Sequence, residues 1–191
     1  MDLSLDLNRR YTYADYLTWL DDIRRELFDG FIRLMAAPQD VHVEVSGNVY
    51  GNLWTLLSKN KGTCKVRSAP FDVRLPENGE KDNDKVFTVV QPDVCVICDT
   101  TKLDKNGCIG APDLIVEVLS PSTSKKDWKE KFYLYEKHGV REYWIVHPVD
   151  KIITVFLLKP DGKYDEGVLY ESGQVPVTIF NVTLEISDIF T

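Results

Sequence analysis

Residues 91–117 read QPDVCVICDTTKLDKNGCIGAPDLIVE, and the fold turns on how this stretch pairs with itself. Two apolar, strand-like runs flank a polar loop, and each run carries a carboxylate. If the runs form an antiparallel hairpin centred near Lys105, opposed positions sum to 210, and Asp93 and Glu117 satisfy that sum. Directly opposed residues on one sheet face have Cβ atoms about 4.5–5.5 Å apart. Two acids that close in an apolar sheet repel and lose solvation unless a cation neutralises them or one holds a proton. A divalent metal is the economical partner, and it points to phosphoryl-transfer chemistry.

Working outward, 13–20 reads as a short amphipathic helix, and 26–35 reads as a hairpin turned at Asp29-Gly30. A second helix spans 41–58, with Val45, Val49, Leu53, Leu56 and Leu57 at helical spacing. A strand is expected over 65–75, then a charged loop over 76–85. The central hairpin follows, with strands over 86–98 and 112–119. Ser120, Ser122, Thr123 and Ser124 offer capping hydroxyls to a third helix over 125–138, closed by Gly139. Strands over 141–146 and 152–158 come next, and 175–190 alternates like edge strands. This order predicts an α/β fold around a mixed central sheet flanked by helices. We expect one domain over 1–191: an N-terminal helix and hairpin (1–40), a core (41–147) and C-terminal strands (148–191).

The chain has 191 residues, with 43% hydrophobic and 28% charged residues, an ordinary globular balance. No apolar run approaches the roughly 20 residues of a membrane span, and MDLSLDLNRR lacks a signal-peptide core, so a cytoplasmic location and no membrane partner are expected. The net charge of −7 argues against indiscriminate coating of DNA, which depends on lysine and arginine. Local basic groups such as Lys125, Lys126, Lys129 and Lys131 still act within an acidic whole. Cys95 and Cys98 form a CxxC, but residues three apart on a strand face opposite sides. The four cysteines are therefore read as buried or free thiols rather than a zinc site.

Glu117 lies mid-run in LIVEVL, where an unpaired charge costs several kcal/mol. Asp113 sits on the same face but four residues away, about 13 Å at ~3.3 Å per residue, too far to share one small cation with Glu117. It is read as structural. Trp128, Phe132 and Tyr135 make the inner stripe of the third helix. Lys131 flanks that stripe, where its ammonium reaches the acids or, alternatively, pairs outward with Asp127. His42 falls near the centre of the second helix's apolar stripe, as a site residue or as a satisfied core histidine. Glu44 points away, and His138 and His147 are read as structural.

These residues carry a resemblance. PDxxVxCD, GAPDLIVEVLSPST and EKxxxYEKxGVREYWIV resemble the Uma-two family, assigned to the restriction-endonuclease-like, PD-(D/E)XK superfamily. YTYADYL, HVEVSGNVYGNL, APFDVRL and ISDIF extend the similarity over nearly the whole chain. The resemblance implies a restriction-endonuclease-like core with an extra N-terminal hairpin and added C-terminal strands. It matches Asp93 to the PD acid and Glu117 to the second acid. Position 119 is leucine where the motif has lysine, and Lys131 is the candidate for a lysine that has migrated to the helix. His147 stands where the family has aspartate. The implied activity is a Mg²⁺- or Mn²⁺-dependent endonuclease acting on DNA, with Asp93 and Glu117 as metal ligands and catalytic roles for Asp93, Glu117, Lys131 and His42. A homodimer is the assembly the superfamily suggests for cutting both strands. Leu119 and the acidic balance support the alternative, a non-cleaving nucleic-acid-binding or protein-interaction module. Hydrolysis of a smaller phosphoester is a third reading.

Overall fold

A computed structural model describes residues 5–59, 62–120 and 125–191, the side chains of 125–127 excepted. Its centre is a mixed sheet built from β3 (Lys65–Ser68), β6 (Val94–Ile97), β9 (Leu114–Val118), β10 (Glu142–His147), β11 (Ile152–Leu157) and β12 (Val168–Tyr170). They lie in the spatial order β12-β11-β10-β9-β6-β3. The β6–β9 pair is antiparallel, with Val94 opposite Val116 and Cys95 opposite Ile115, so every pair sums to 210 as expected. β9 and β10 run parallel, joined across one face of the sheet by α3 (Lys125–His138), the one parallel pair in this sheet.

Alternation along these strands separates two cores. Val94, Val96, Leu114, Val116, Trp144 and Val146 face α2 (Asp40–Lys59), which buries Val45, Val49, Leu53 and Leu57 against them. Cys95, Ile97, Ile115, Tyr143 and Ile145 face α3 and its buried Tyr135. Period-2 strands between period-3.6 helical stripes are what hold the sheet between the two helices. Gly139, at φ +81°, ends α3, and the Val140 amide donates back to the Tyr135 carbonyl at 3.0 Å.

A second sheet contains the hairpin β1 (Arg25–Phe28) and β2 (Phe31–Leu34), then β4 (Val73–Arg74), β5 (Val89–Val90), β7 (Leu103–Asp104) and β8 (Gly107–Ile109). Its order is β2-β1-β5-β4-β8-β7. Asp29 and Gly30 take positive φ at its first turn, as the Asp-Gly pair predicts. Gly107 has no alternative residue: a Cβ there would lie 2.2 Å from the Asp72 carbonyl oxygen. The C-terminal hairpin β13 (Gln174–Val177) and β14 (Val182–Glu185) covers the α2-side core with Val175, Val177 and Leu184. The fully buried carboxylate of Glu142 ties this segment down, accepting from Trp144 Nε1 at 2.7 Å and from the Ile179 amide at 2.9 Å.

Three expectations change. The runs over 65–75 and 86–98 are not single strands: each is cut at a proline, Pro70 and Pro92, and its halves join different sheets. Proline has no N–H to give a ladder, so these are the points where the chain crosses over. The first helix, α1 (Tyr13–Tyr16), stops well before residue 20, because Leu17 and Leu20 stay exposed and no packing extends it. Cys64 and Cys98 are not thiols but a disulfide. The β3–β6 register, Lys65 opposite Ile97, brings the two residues just beyond it side by side, a pairing not evident from the cysteine spacing. The capping serines and threonine at 122–124 fall outside the described residues. Among the described residues no helix is long and apolar enough to cross a membrane.

The bridge closes a loop of 34 residues. Thiol titration of the denatured, unreduced protein should find two free thiols, Cys95 and Cys108, which are buried and unreactive in the native fold. Reduction should lower unfolding free energy by about 4 kcal/mol in a denaturant melt, the chain-entropy scale for such a loop.

Candidate active site

The ladder places the start of β6 beside the end of β9. Asp93, one step beyond Val94, therefore reaches the last turn of the Glu117 strand, and its Oδ2 accepts from the Val118 amide at 2.8 Å. Glu117 points toward α3. There Lys131 Nζ donates to its Oε1 at 2.9 Å and the Tyr135 hydroxyl to the same atom at 2.6 Å. The outward alternative for Lys131 thus gives way to the inward one. Lys131 and Tyr135 are four residues apart, one helical turn, so both side chains leave the same face of α3.

His42, in the first turn of α2, sets its Nε2 3.1 Å from Asp93 Oδ2. Its Nδ1 is enclosed and makes no hydrogen bond among the described residues. Asp113 stays apart: its Oδ2 accepts from the Cys98 amide at 2.8 Å and its Oδ1 meets Arg141 at 3.1 Å, a structural duty. Glu44 is exposed and bonded to Thr191 at 3.0 Å.

One acid was missed. Glu26 on β1 is buried, and its Oε1 accepts from Lys131 Nζ at 3.0 Å and from the Gln91 amide at 2.8 Å. Lys131 therefore bridges two carboxylates from different sheets. The available signal was an acid between Arg25 and Leu27 on the apolar side of a hairpin strand, but its partners lie 65 and 105 residues away in sequence. All four groups, with His42, line one pocket of about 290 Å³ between the β1–β2 hairpin, the end of β9 and α3.

Burial pushes the Glu117 carboxyl well above the ordinary range; Lys131 pulls it back, while Asp93 and Glu26 add repulsion. For Lys131, burial opposes the ammonium, yet Glu117 and Glu26 outweigh it and hold the proton more firmly than usual. His42 is raised, chiefly by its hydrogen bond to Asp93, against the opposing effect of burial. A histidine whose folded pKa exceeds its unfolded value favours folding below about pH 6.5 and loses that contribution as pH climbs through the folded value. In EDTA-containing buffer, wild type should lose more stability between pH 6 and pH 8 than His42→Gln. Equal losses in paired denaturant melts would remove this linkage.

Asp93, Glu117 and Glu26 offer only oxygen donors, a set that suits Mg²⁺ or Mn²⁺ far better than zinc. Among the described residues no three His, Cys, Asp or Glu groups already converge as ligands around one point. Lys131 stands between Glu26 and Glu117, and His42 caps Asp93. The donor chemistry fits a hard divalent cation, and the excess of three acids over one lysine leaves charge for it to neutralise.

Comparison with known proteins agrees with this architecture. A protein from Synechocystis sp., described only as uncharacterized, is 30% identical over 155 residues, 78% of this chain and 75% of that protein. A crystal structure titled as "a putative nuclease belonging to DUF820" from Anabaena variabilis superposes with a TM-score of 0.73, covering 94% of this chain and 97% of that one. At 19% identity that likeness is one of fold: the mixed sheet with its flanking helices is shared with that protein. The family described as "Putative restriction endonuclease" (Uma2) matches residues 13–186. The chain belongs to that family.

Proposed function

We propose that this protein is a divalent-metal-dependent nuclease that hydrolyses DNA phosphodiester bonds, with Asp93, Glu117 and Lys131 at its centre. The observation that carries the reading is the bridge from Lys131 to Glu117, in a pocket that also holds Asp93 and Glu26. An acid just before β6, an acid from β9 and a lysine from α3 restore, from a helix, the charge pattern that Leu119 breaks in the strand.

Asp93 and Glu117, with Glu26 beside them, would hold Mg²⁺ or Mn²⁺, and the bound ion would polarise the phosphodiester and lower the pKa of a bound water. Lys131 keeps its proton, so it acts as a fixed positive charge toward the phosphoryl oxygens and not as a base. His42 holds Asp93 in orientation through its Nε2 contact. Lys131 facing the acids favours cleavage over the non-cleaving alternative, whose sequence support, Leu119 and the acidic balance, is unchanged.

The test is nicking of supercoiled plasmid and cleavage of single-stranded DNA with Mg²⁺, Mn²⁺ or EDTA. Cleavage that needs the metal and vanishes in Glu117→Gln supports the proposal. A clean wild-type preparation that cuts nothing under any metal, or cleavage that persists in Glu117→Gln, refutes it.

A further inference from the structure

The wall opposite the acids is unusual for a pocket of this charge. Residues 34–38, LMAAP, run from the last residue of β2 into the connection to α2, and all five line the pocket while remaining partly or fully exposed. Leu34 keeps 62% of its surface exposed. Connecting loops are normally polar, and an unbroken apolar lip left open to water marks a contact surface. Across the opening, Trp128 on α3 and Phe28 on β1 add aromatic faces. Two arginines, Arg24 and Arg33, line the same pocket; Arg24 bonds Gln91 and Arg33 reaches Glu130 at 3.4 Å. The pocket thus has three chemically distinct zones: carboxylates with Lys131 at the floor, guanidinium groups at the side, and an apolar and aromatic lip.

That division matches one nucleotide: a phosphate near the charged floor and a base against the lip. A base in a duplex is stacked and paired, so its faces are closed to side chains; only an unpaired base can lie on an aromatic or apolar platform. The acids are also recessed, with Glu26 at 5% and Glu117 at 8% exposure, below a rim formed by the hairpin. We infer that the pocket accepts an unpaired nucleotide within a DNA strand, its base against Trp128 and the Leu34–Met35 lip and its phosphate toward Lys131. The substrate class is therefore single-stranded or locally unpaired DNA over continuous duplex. The inference rests on the nuclease reading for its chemistry, but its binding half stands separately.

Two measurements keep them distinguishable. The first is fluorescence anisotropy of one labelled oligonucleotide, single-stranded or annealed to its complement, in Ca²⁺ buffer, with deoxyadenosine 5′-monophosphate as competitor. The second is Mg²⁺-dependent cleavage of the same two forms and of a duplex carrying a three-base bulge. Wild type should bind the single strand at least about tenfold more tightly than the duplex, and Trp128→Ala should lose about tenfold for the single strand alone, the scale of one base–aromatic stack. Because Trp128 is partly buried, Leu34→Ser with Met35→Ser provides a second variant on the exposed lip, expected to weaken single-strand binding severalfold with an unchanged melting temperature. Cleavage should favour the single strand and the bulge. Single-strand preference without any cleavage would uphold the pocket assignment and sink the nuclease reading. Duplex bound or cut as well as single strand, equal losses on both forms in the lip variants, or no binding of either form would overturn the inference. Competition by the mononucleotide at the oligonucleotide's own concentration would overturn the assignment to a strand in favour of a free nucleotide.

Discussion

Lys131→Met should lower the unfolding free energy by about 3–5 kcal/mol at pH 8 and abolish nicking, because one buried cation serves two buried acids. Lys131 Nζ lies 2.9 Å from Glu117 and 3.0 Å from Glu26. Methionine keeps the length and apolar stem but leaves both carboxylates enclosed, mutually repelling and without a counter-charge. Protonation is the only escape left to them. Glu117 already titrates above the ordinary range through burial, and losing the lysine raises it further. An acid whose folded pKa exceeds its unfolded value costs stability above that window and nothing below it. The gap between variant and wild type should therefore narrow as pH falls from 8 to 5. Urea melts at both values, in EDTA, measure it; no gap at pH 8 would mean that the ammonium does not sit between the acids.

Glu117→Gln should show the opposite profile, with nicking down by at least about 10²-fold and stability altered by no more than about 1 kcal/mol. The asymmetry follows from counting charges. Removing the lysine strands two acids, whereas removing Glu117's charge leaves Lys131 paired with Glu26. The amide oxygen of glutamine still accepts from the Tyr135 hydroxyl, which stands 2.6 Å from Oε1. Burial already works against the Glu117 carboxylate, so its neutral replacement relieves that cost. A side chain whose charge is needed for activity but not for stability is one retained for its chemistry. A loss of several kcal/mol in Glu117→Gln would assign the residue a structural role instead.

Comparing the two variants also separates the floor of the pocket from its lip. Lys131 and Glu117 act on whatever phosphodiester enters, whereas Trp128 and the 34–38 segment bear on which strand form enters. Changes at the floor should reduce cleavage of every substrate in proportion. Changes at the lip should alter the ratio between them.

Local pattern determined much of this protein. The 210 register needed only a loop midpoint and the period of two, and it set the start of β6, with Asp93 just before it, beside the end of β9 that carries Glu117. The third helix, 125–138 in both sequence and structure, followed from a 3.6-residue stripe and a closing glycine. The same stripe put Lys131 on the flank nearest the sheet. These features arise between neighbours in sequence, or across one turn, where geometry is fixed by backbone period alone.

Tertiary structure decided the rest. Pro70 and Pro92 lay inside runs read as single strands, and which sheet each half would join depended on partners far along the chain. Cys64 met Cys98 only because β3 paired with β6. Glu26 became a member of the site because β1 pairs with β5, Leu27 opposite Val89, which brings the hairpin over the end of β9. The apolar lip likewise gained meaning only once residues 34–38 were seen to face three carboxylates. No periodicity in residues 25–38 encodes a contact with residue 117 or 131. Such contacts are set by burial and sheet order, which a linear pattern does not carry.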